Sequence, residues 1–207
     1  MRIAELRPDK KHLIKITLDT GDCKWLDRDV VFDHALREDT YLTEETLDEL
    51  LFESDYTRAK SRALWYLDRG DRTEKGLYRK LTEAGFDKHA CAAVIARLKE
   101  LELLDDRRFA ENFAARCAQS NISRRETVRK LLEKGVPYDI AKEAAAETNA
   151  DEEEQIRTLI CKKYAARLCG ENGVQKVYGA LARKGFSFDA IKTVLKQYNQ
   201  ELEYSEE

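Results

Sequence analysis

Three of the nine glycines in this chain stand 50 residues apart. Each of these glycines follows a leucine by four positions and directly precedes an apolar residue. A period of this length is typical of a modular helical array, in which each unit buries its apolar face partly against its neighbours. The pattern therefore places function on a surface rather than in a pocket. The glycines are Gly85, Gly135 and Gly185.

The repeated glycines predict where helices end. The residue after the last helical turn often takes a positive φ, which costs little only without a Cβ atom. Upstream of each glycine stands a helix-start signal: Thr73, Ser123 or Asn172. The last two are followed three residues later by Glu126 and Gln175, the spacing of a capping box. We therefore predict helices over residues 73–84, 123–134 and 173–184.

Each predicted helix has an amphipathic stretch on both sides, so each unit contains three helices. The following helix begins near Asp87, Pro137 or Ser187, residues suited to a cap or a first turn. The preceding stretch carries apolar residues at helical spacing. In the second unit the last helix is rich in alanine, which predicts thinner packing. Its alanines are Ala141, Ala144, Ala145 and Ala146.

The beginning of the chain differs in kind. Residues 12–18 are rich in strand-forming residues, 19–22 favour a turn, and 23–26 can return, which predicts a small β-hairpin. A two-stranded hairpin alone is marginal. We therefore expect it to pack on short helices over 29–36 and 43–53, or on a further strand near Ile3–Leu6.

These patterns predict a mainly α fold. It is an elongated tandem array of three three-helix repeats preceded by a small N-terminal β-hairpin-plus-helix segment. The 37% content of charged residues suits an elongated shape better than a sphere. The predicted domains are the N-terminal extension 1–56, repeat 1 at 57–106, repeat 2 at 107–150, and repeat 3 with the C-terminal tail at 151–207.

Charge is unevenly distributed along the chain. Residues 1–56 carry 8 basic and 15 acidic side chains, residues 57–150 carry 20 and 15, and residues 151–207 carry 9 and 10. The overall charge of −3 thus hides a middle segment of net charge +5. Such local positive charge favours association with phosphates.

Several function classes find no support. No apolar run approaches the roughly 18 residues of a membrane span, and we expect a soluble, cytoplasmic protein. The odd number of cysteines and the lack of a C-x-x-C pair argue against disulfide or metal sites. The histidines His12, His34 and His89 are too scattered for a catalytic set. Asp105 and Asp106 suit capping of the next helix better than metal binding. We expect no enzymatic activity, cofactor or metal.

Six motifs follow one another in a fixed order along the chain. They are Arg72-Thr73-Glu74-Lys75, Leu77 to Leu81, Gly85-Phe86, Leu103 to Ala110, Leu131 to Pro137, and Arg183 to Ser187. This ordered set resembles the RecX family, the bacterial regulators of RecA recombinase. The resemblance covers about residues 57–200, and the N-terminal segment looks like the added hairpin domain of some members. Departures include Asp71, Gly76 and Glu102, where the family commonly has proline, a better helix former and glycine.

The resemblance implies a non-enzymatic modulator of RecA. It implies binding to the RecA–single-stranded DNA filament along its groove, and regulation of recombination, DNA repair and the SOS co-protease function. We further expect a monomer that meets no membrane, and whose contacts with single- or double-stranded DNA lack sequence preference. A helix-turn-helix-like DNA-binding protein and a general helical-repeat scaffold are the alternatives.

The candidate contacts with filament or DNA are basic residues on and beside the middle helices. Equivalent positions in the first two units hold an Arg–Lys pair, whereas the third has Gly179 and Ala180. A solvated face with local ion pairs is the alternative for each residue. The candidates are Arg72, Arg79, Lys80, Arg107, Arg108, Arg124, Arg125, Arg129 and Lys130.

Aromatic residues near these positions suggest packing rather than recognition. Their helical periodicity places them on apolar faces, and stacking on unpaired bases would require exposure beside basic residues. We expect core positions for Tyr78, Tyr164, Tyr178, Trp65 and Phe113.

Overall fold

The strand-forming segments near the start of the chain build a three-stranded antiparallel sheet. In the computed structural model, which describes residues 1–9, 12–148 and 150–204, the strands are β1 (Ile3–Pro8), β2 (Leu13–Leu18) and β3 (Cys23–Asp27). The order is β1-β2-β3, with Ile3 opposite Leu18 and Leu13 opposite Asp27. The predicted hairpin is confirmed, and the strand expected near Ile3–Leu6 completes the sheet.

The sheet packs on two helices, α1 (Arg28–Asp33) and the first half of α2 (Glu44–Asp68). Thr43 caps α2 as predicted, because its side-chain oxygen accepts the N–H of Thr46 at 3.1 Å. Ser54 ties α2 to the sheet by accepting the N–H of Asp27 at 2.7 Å. The shared core contains Ile3, Ile16, Leu18, Leu26, Val30, Val31, Leu42, Leu47 and Leu50.

The expected end of a helix near Glu53 is wrong. A single helix of 25 residues runs from Glu44 to Asp68 and also supplies the first helix of the first triplet. No glycine or proline interrupts this stretch, so the backbone has no reason to stop. The helix α2 crosses the predicted boundary between residues 56 and 57, and its two halves pack in two different hydrophobic cores.

The second half of α2 forms a helix triplet with α3 (Glu74–Glu83) and α4 (Lys88–Glu100). Asp87 caps α4 as expected, accepting the N–H groups of His89 and Ala90 at 2.8 and 3.0 Å. The core of this triplet contains Ala59, Ala63, Leu77, Leu81, Cys91, Val94, Ile95, Leu98 and Leu104.

The chain divides into two compact units, Met1–Asp105 and Asp106–Glu207. The second unit contains two more triplets. One comprises α5 (Asp106–Gln119), α6 (Arg124–Glu133) and α7 (Tyr138–Glu147). The other comprises α8 (Glu152–Leu159), a π-helical segment (Ile160–Tyr164), α9 (Ala165–Leu168), α10 (Gly173–Arg183) and α11 (Phe188–Tyr204). The buried residues of α7 are Ala141, Ala144 and Ala145, whereas Ala146 is exposed.

The repeated glycines end the middle helices as predicted. Their φ angles are +90° at Gly85, +93° at Gly135 and +85° at Gly185. After each glycine the next backbone N–H turns back to the leucine carbonyl, for example from Val136 to Leu131 at 3.1 Å. This is the hydrogen-bond pattern of a helix end that a left-handed residue closes.

All three predicted helix starts are confirmed, since α10 begins at Gly173, but only two of the three expected side-chain caps form. Thr73 and Ser123 accept the N–H groups of Gly76 and Glu126 at 3.0 and 3.2 Å. Asn172, in contrast, takes a left-handed conformation with φ +54° and makes no side-chain cap. The physical reason is the tight turn that enters α10, in which the N–H of Gly173 donates to the carbonyl oxygen of Gly170 at 2.8 Å.

The cysteines are all unpaired, but only some lie in apolar surroundings. Cys91 and Cys117 are buried, Cys23 is half-buried, and Cys161 and Cys169 are exposed. None of the helices in the described part of the chain is long and apolar enough to cross a membrane.

Candidate functional site

The first candidate pair lies on the outer face of α3. Arg79 is exposed and its Nε lies 3.6 Å from Glu83 Oε1, one helical turn further along. Lys80 is half-buried, with its Nζ 5.3 Å from the centre of the Tyr66 ring on α2. Helical spacing turns these side chains away from Leu77 and Leu81, which enter the core.

The equivalent pair on α6 is more tightly held. Arg129 donates to Glu126 from Nε at 2.8 Å and from Nη2 at 2.6 Å, and it also contacts Glu133. Lys130 Nζ lies 3.6 Å from Glu126 Oε1. The hydrogen bonds from Arg129 lower the pKa of the Glu126 carboxyl, and Glu126 in turn raises the pKa of Arg129. Both groups therefore stay ionised at neutral pH, and the cation is locally balanced.

The remaining candidates differ in their surroundings. Arg107 donates to Glu143 at 3.0 Å, and this bond raises the pKa of Arg107. Arg124 donates to the carbonyl oxygen of Thr148 at 3.3 Å. Arg108 and Arg125 are exposed. Arg72 is half-buried, and its Nε has no hydrogen-bond partner among the described residues. Local ion pairs thus account for part of the basic surface.

In the second unit, α6 and the end of α10 enclose a cleft of about 430 Å³. Arg129 and Lys130 line it together with Arg183 and Lys184. Ser123 joins its two walls, because its Oγ donates to the carbonyl oxygen of Lys184 at 2.6 Å. The third triplet therefore contributes cations from its helix end, although it lacks the Arg–Lys pair of the other two.

A comparison of equivalent positions in the three units does not reveal the two cations at the end of α10. Arg183 and Lys184 stand directly before Gly185, not at the positions that hold the Arg–Lys pair in the other units. Arg72, Arg79 and Lys80 belong to the first unit, so they are not part of this cleft.

Trp65 contradicts the expectation of a core position. Its side chain is 43% exposed, and the guanidinium carbons of Arg62 and Arg69 lie 5.0 and 3.6 Å from the ring centre. Ala59 and Ala63 are the buried residues in this part of α2, and Trp65 lies on a different face of the helix. Tyr164 is buried as expected, while Tyr78, Tyr178 and Phe113 are partly buried against the cores.

Acidic residues form no apparent metal centre in the described part of the chain, where no group of three or more His, Cys, Asp or Glu is placed to hold an ion. Asp106 is buried and is the first residue of α5. The candidate basic residues thus lie on or beside the helices of the triplets.

Two family models match these triplets. One describes the first three-helix domain of RecX and matches residues 59–98, and the other describes its third three-helix domain and matches residues 151–195. Regulatory protein RecX of Clostridium perfringens (strain SM101 / Type A) is 24% identical over 203 residues, covering 95% of each chain. The chain belongs to the RecX family. Regulatory protein RecX of Streptococcus pneumoniae (serotype 19F, strain G54) is 27% identical over 205 residues, covering 98% of this chain and 79% of that protein.

A solved structure supports the same fold. The crystal structure of a regulatory protein RecX superposes with a TM-score of 0.68 at 23% identity, covering 93% of this chain and 98% of that one. The RecX domain models include Arg72, Arg79 and Lys80 in the first match, and Arg183 and Lys184 in the third-domain match. Arg107 through Lys130 lie between the two matched segments.

Proposed function

We propose that this protein is a non-enzymatic modulator of RecA. It binds the RecA–single-stranded DNA filament along the filament groove, and so regulates recombination, DNA repair and the SOS co-protease function. The membership of the RecX family and the name of its relatives, regulatory protein RecX, support a regulatory role. We place this action in the cytoplasm, with the protein as a monomer and without a cofactor.

The observation that carries this proposal is the repetition of an Arg–Lys pair on the middle helices of two successive triplets. Arg79 and Lys80 on α3 correspond to Arg129 and Lys130 on α6, 50 residues later. All four side chains reach solvent at least in part. A protein made of repeated units presents repeated contacts, which suit a partner that is itself a repeat of identical subunits.

The local ion pairs oppose such a contact to different degrees. The exposed pair between Arg79 and Glu83 contributes only about 0–1 kcal/mol, so Arg79 exchanges partners at little cost. Arg129 makes two hydrogen bonds to half-buried Glu126, so its exchange costs more. A filament that carries phosphates would offer a more concentrated negative charge. Positive charge would then accelerate encounter and position the protein without reading sequence.

The decisive experiment is RecA ATP hydrolysis on single-stranded DNA, titrated with this protein. The test variant replaces Arg79, Lys80, Arg129 and Lys130 by Glu. The matched control replaces four exposed lysines of the third helices, Lys88, Lys142, Lys192 and Lys196, by Glu, which changes the net charge equally. Circular dichroism must show that both variants remain helical.

The proposal predicts that wild type and the control variant alter the ATPase rate, whereas the test variant does not. A wild type without effect at saturation would refute the role as a RecA modulator. Equal effects of both variants would leave the modulation intact but exclude the Arg–Lys pairs as its contact.

A further inference from the structure

The two tryptophans of this chain line one groove of the first unit, here called the tryptophan groove. Trp25 contributes from β3 and Trp65 from α2, and Arg28, Arg58 and Arg62 share the lining. The groove has a volume of about 910 Å³. Arg79 and Lys80, the Arg–Lys pair of the same unit, do not line it.

Trp65 lines the groove, and the guanidinium groups of Arg62 and Arg69 lie over its ring. Arg69 is held against the ring, because its Nη1 also donates to the carbonyl oxygen of Trp65 at 3.0 Å. Arg62 approaches the same ring at 5.0 Å and the Tyr66 ring at 5.7 Å. As a whole residue Trp65 is 43% exposed with both arginines in place, so a ligand in the groove can contact it.

Trp25 is exposed to a similar extent, 45%, and its orientation is fixed. Its Nε1 donates to Asp9 Oδ2 at 2.8 Å, and Lys15 Nζ lies 6.0 Å from its ring centre. A large ring that is exposed yet held in place loses little conformational freedom when it binds a ligand.

Two arginines of the groove are available to an anion. Arg28 and Arg62 are exposed, and neither forms an ion pair with another described residue. Arg58 is partly neutralised, since it lies 3.3 Å from Asp55.

The groove also contains carboxylates, and their surroundings limit their effect. Asp9 accepts from Trp25, and buried Asp27 accepts the N–H of Asp29 at 3.0 Å to cap α1. Asp29 is exposed beside Arg28. Of the two arginines without an ion pair, Arg62 lies on α2 with Trp65, and Arg28 begins α1 directly after the strand that carries Trp25.

We propose that the tryptophan groove binds single-stranded nucleic acid, with a base stacked on Trp65 and phosphates contacted by Arg28 and Arg62. Aromatic platforms flanked by cations suit this ligand because every base has a π-face, whereas duplex bases are already stacked. An acidic peptide would pair with the arginines but leave the ring unused. The inference deepens the proposed function and rests on it only in that the filament would supply the single strand.

Tryptophan fluorescence tests this directly, because Trp25 and Trp65 are the only tryptophans of the chain. In the Trp25→Phe variant, Trp65 is the sole emitter. We expect an oligo-dT strand, added without RecA, to quench this emission. An abasic strand of equal length and charge should quench far less, since it has phosphates but no bases.

Affinity measurements on a labelled oligo-dT strand give the matched comparison. Trp65→Ala should weaken binding about tenfold, as expected for the loss of one stacked base. Phe52→Ala is the control, because Phe52 lies on the same helix with the same 43% exposure but outside the groove. Arg62→Gln should weaken binding and reduce its salt dependence.

Three results would overturn the inference: no quenching of Trp65, equal binding of the abasic strand, or stronger competition by polyglutamate than by oligo-dT. The last would identify an acidic protein as the partner instead. These outcomes are separable from the RecA assay. Modulation of RecA with no strand binding by the groove refutes only this inference, and strand binding without an effect on RecA refutes only the proposed function.

Discussion

Ser123 and Lys184 lie 61 positions apart in sequence, yet the Ser123 Oγ donates to the Lys184 carbonyl oxygen at 2.6 Å. Ser123 Oγ also accepts the N–H of Glu126 and so caps α6. One buried hydroxyl thus joins the start of α6 to the end of α10 and satisfies a carbonyl that the helix end would leave free. The repeated glycine at position 185 makes this junction possible.

Replacing Gly185 by alanine should cost more than the same change at Gly85. Both residues have a positive φ, so alanine is strained by about 1–2 kcal/mol at either site. At Gly185 the new Cβ would also lie 2.9 Å from Ser123 Oγ and 3.2 Å from Arg125 Cβ, whereas at Gly85 it meets nothing within 4 Å. Relieving this contact displaces the Ser123 hydroxyl, which adds roughly 1 kcal/mol or more.

Urea unfolding of the two glycine variants measures the difference, and amide hydrogen exchange locates it. Gly185→Ala should speed exchange at the start of α6 and the end of α10. Equal losses in both variants, with no change in exchange at α6, would show that Ser123 does not couple the two helices.

Gly173 poses a different constraint, the close approach of two backbones. A Cβ at Gly173 would lie 2.3 Å from the Leu168 carbonyl oxygen and 2.4 Å from that of Arg167. Because these are backbone atoms, the entry to α10 must move, and we expect Gly173→Ala to cost about 2–4 kcal/mol. Gly170→Ala is the control, since its Cβ meets only Arg167 O at an ordinary 3.6 Å.

Thermal unfolding followed by circular dichroism compares these two variants. The control should stay within about 1 kcal/mol of wild type. If Gly173→Ala were as stable as Gly170→Ala, the turn before α10 would be able to relax without cost, contrary to its tight packing.

The helix ends could be predicted from sequence because their chemistry is local. Gly85, Gly135 and Gly185 and the caps Thr73 and Ser123 need only a few neighbouring residues to take their conformation. Asn172 marks the start of α10 as predicted but forms no side-chain cap, because the close approach of Gly173 to the preceding helix sets its backbone, and asparagine tolerates the left-handed region.

The candidate sites were less predictable because they depend on which helix face is buried. Short apolar periodicity placed Trp65 in the core, but Ala59 and Ala63 set the actual phase of α2 and leave the indole outside. The ion pairs of Arg129 are easier to predict from sequence, since Glu126 and Glu133 stand at the three- and four-residue spacings of helical ion pairs. Tertiary contacts such as the Ser123–Lys184 bond have no signal in a single sequence.

The Glu126–Arg129 pair predicts a pH dependence of stability. Arg129 lowers the pKa of the Glu126 carboxyl below its ordinary value of 4.5. A carboxyl whose pKa is lower in the folded state stabilises the protein above the unfolded pKa, and this contribution disappears as the pH falls through the folded pKa. Arg129→Gln should therefore reduce the unfolding free energy near neutral pH, and the gap to wild type should close below pH 4.5.

Urea unfolding at a series of pH values measures that gap, and carbon-13 NMR titration of Glu126 reports the carboxyl directly. Its pKa should rise in Arg129→Gln. A gap that stays constant down to strongly acidic pH would mean that Arg129 stabilises α6 by packing rather than by charge.

Replacing Glu126 and Glu133 should strengthen the effect of the protein on RecA. In the proposed RecA contact, these carboxylates compete with the partner for Arg129. Replacing both by glutamine preserves side-chain size and removes two negative charges beside the cation. Since the exposed pair with Glu133 contributes about 0–1 kcal/mol and the pair with half-buried Glu126 contributes more, the protein concentration for a half-maximal effect on RecA ATP hydrolysis should fall at least about two- to fivefold. The control, Glu171→Gln with Asp189→Asn, makes the same charge change at exposed positions of the third triplet. An equal fall in both variants would trace the gain to net charge alone, and an unchanged value in Glu126→Gln with Glu133→Gln would remove Arg129 from the contact.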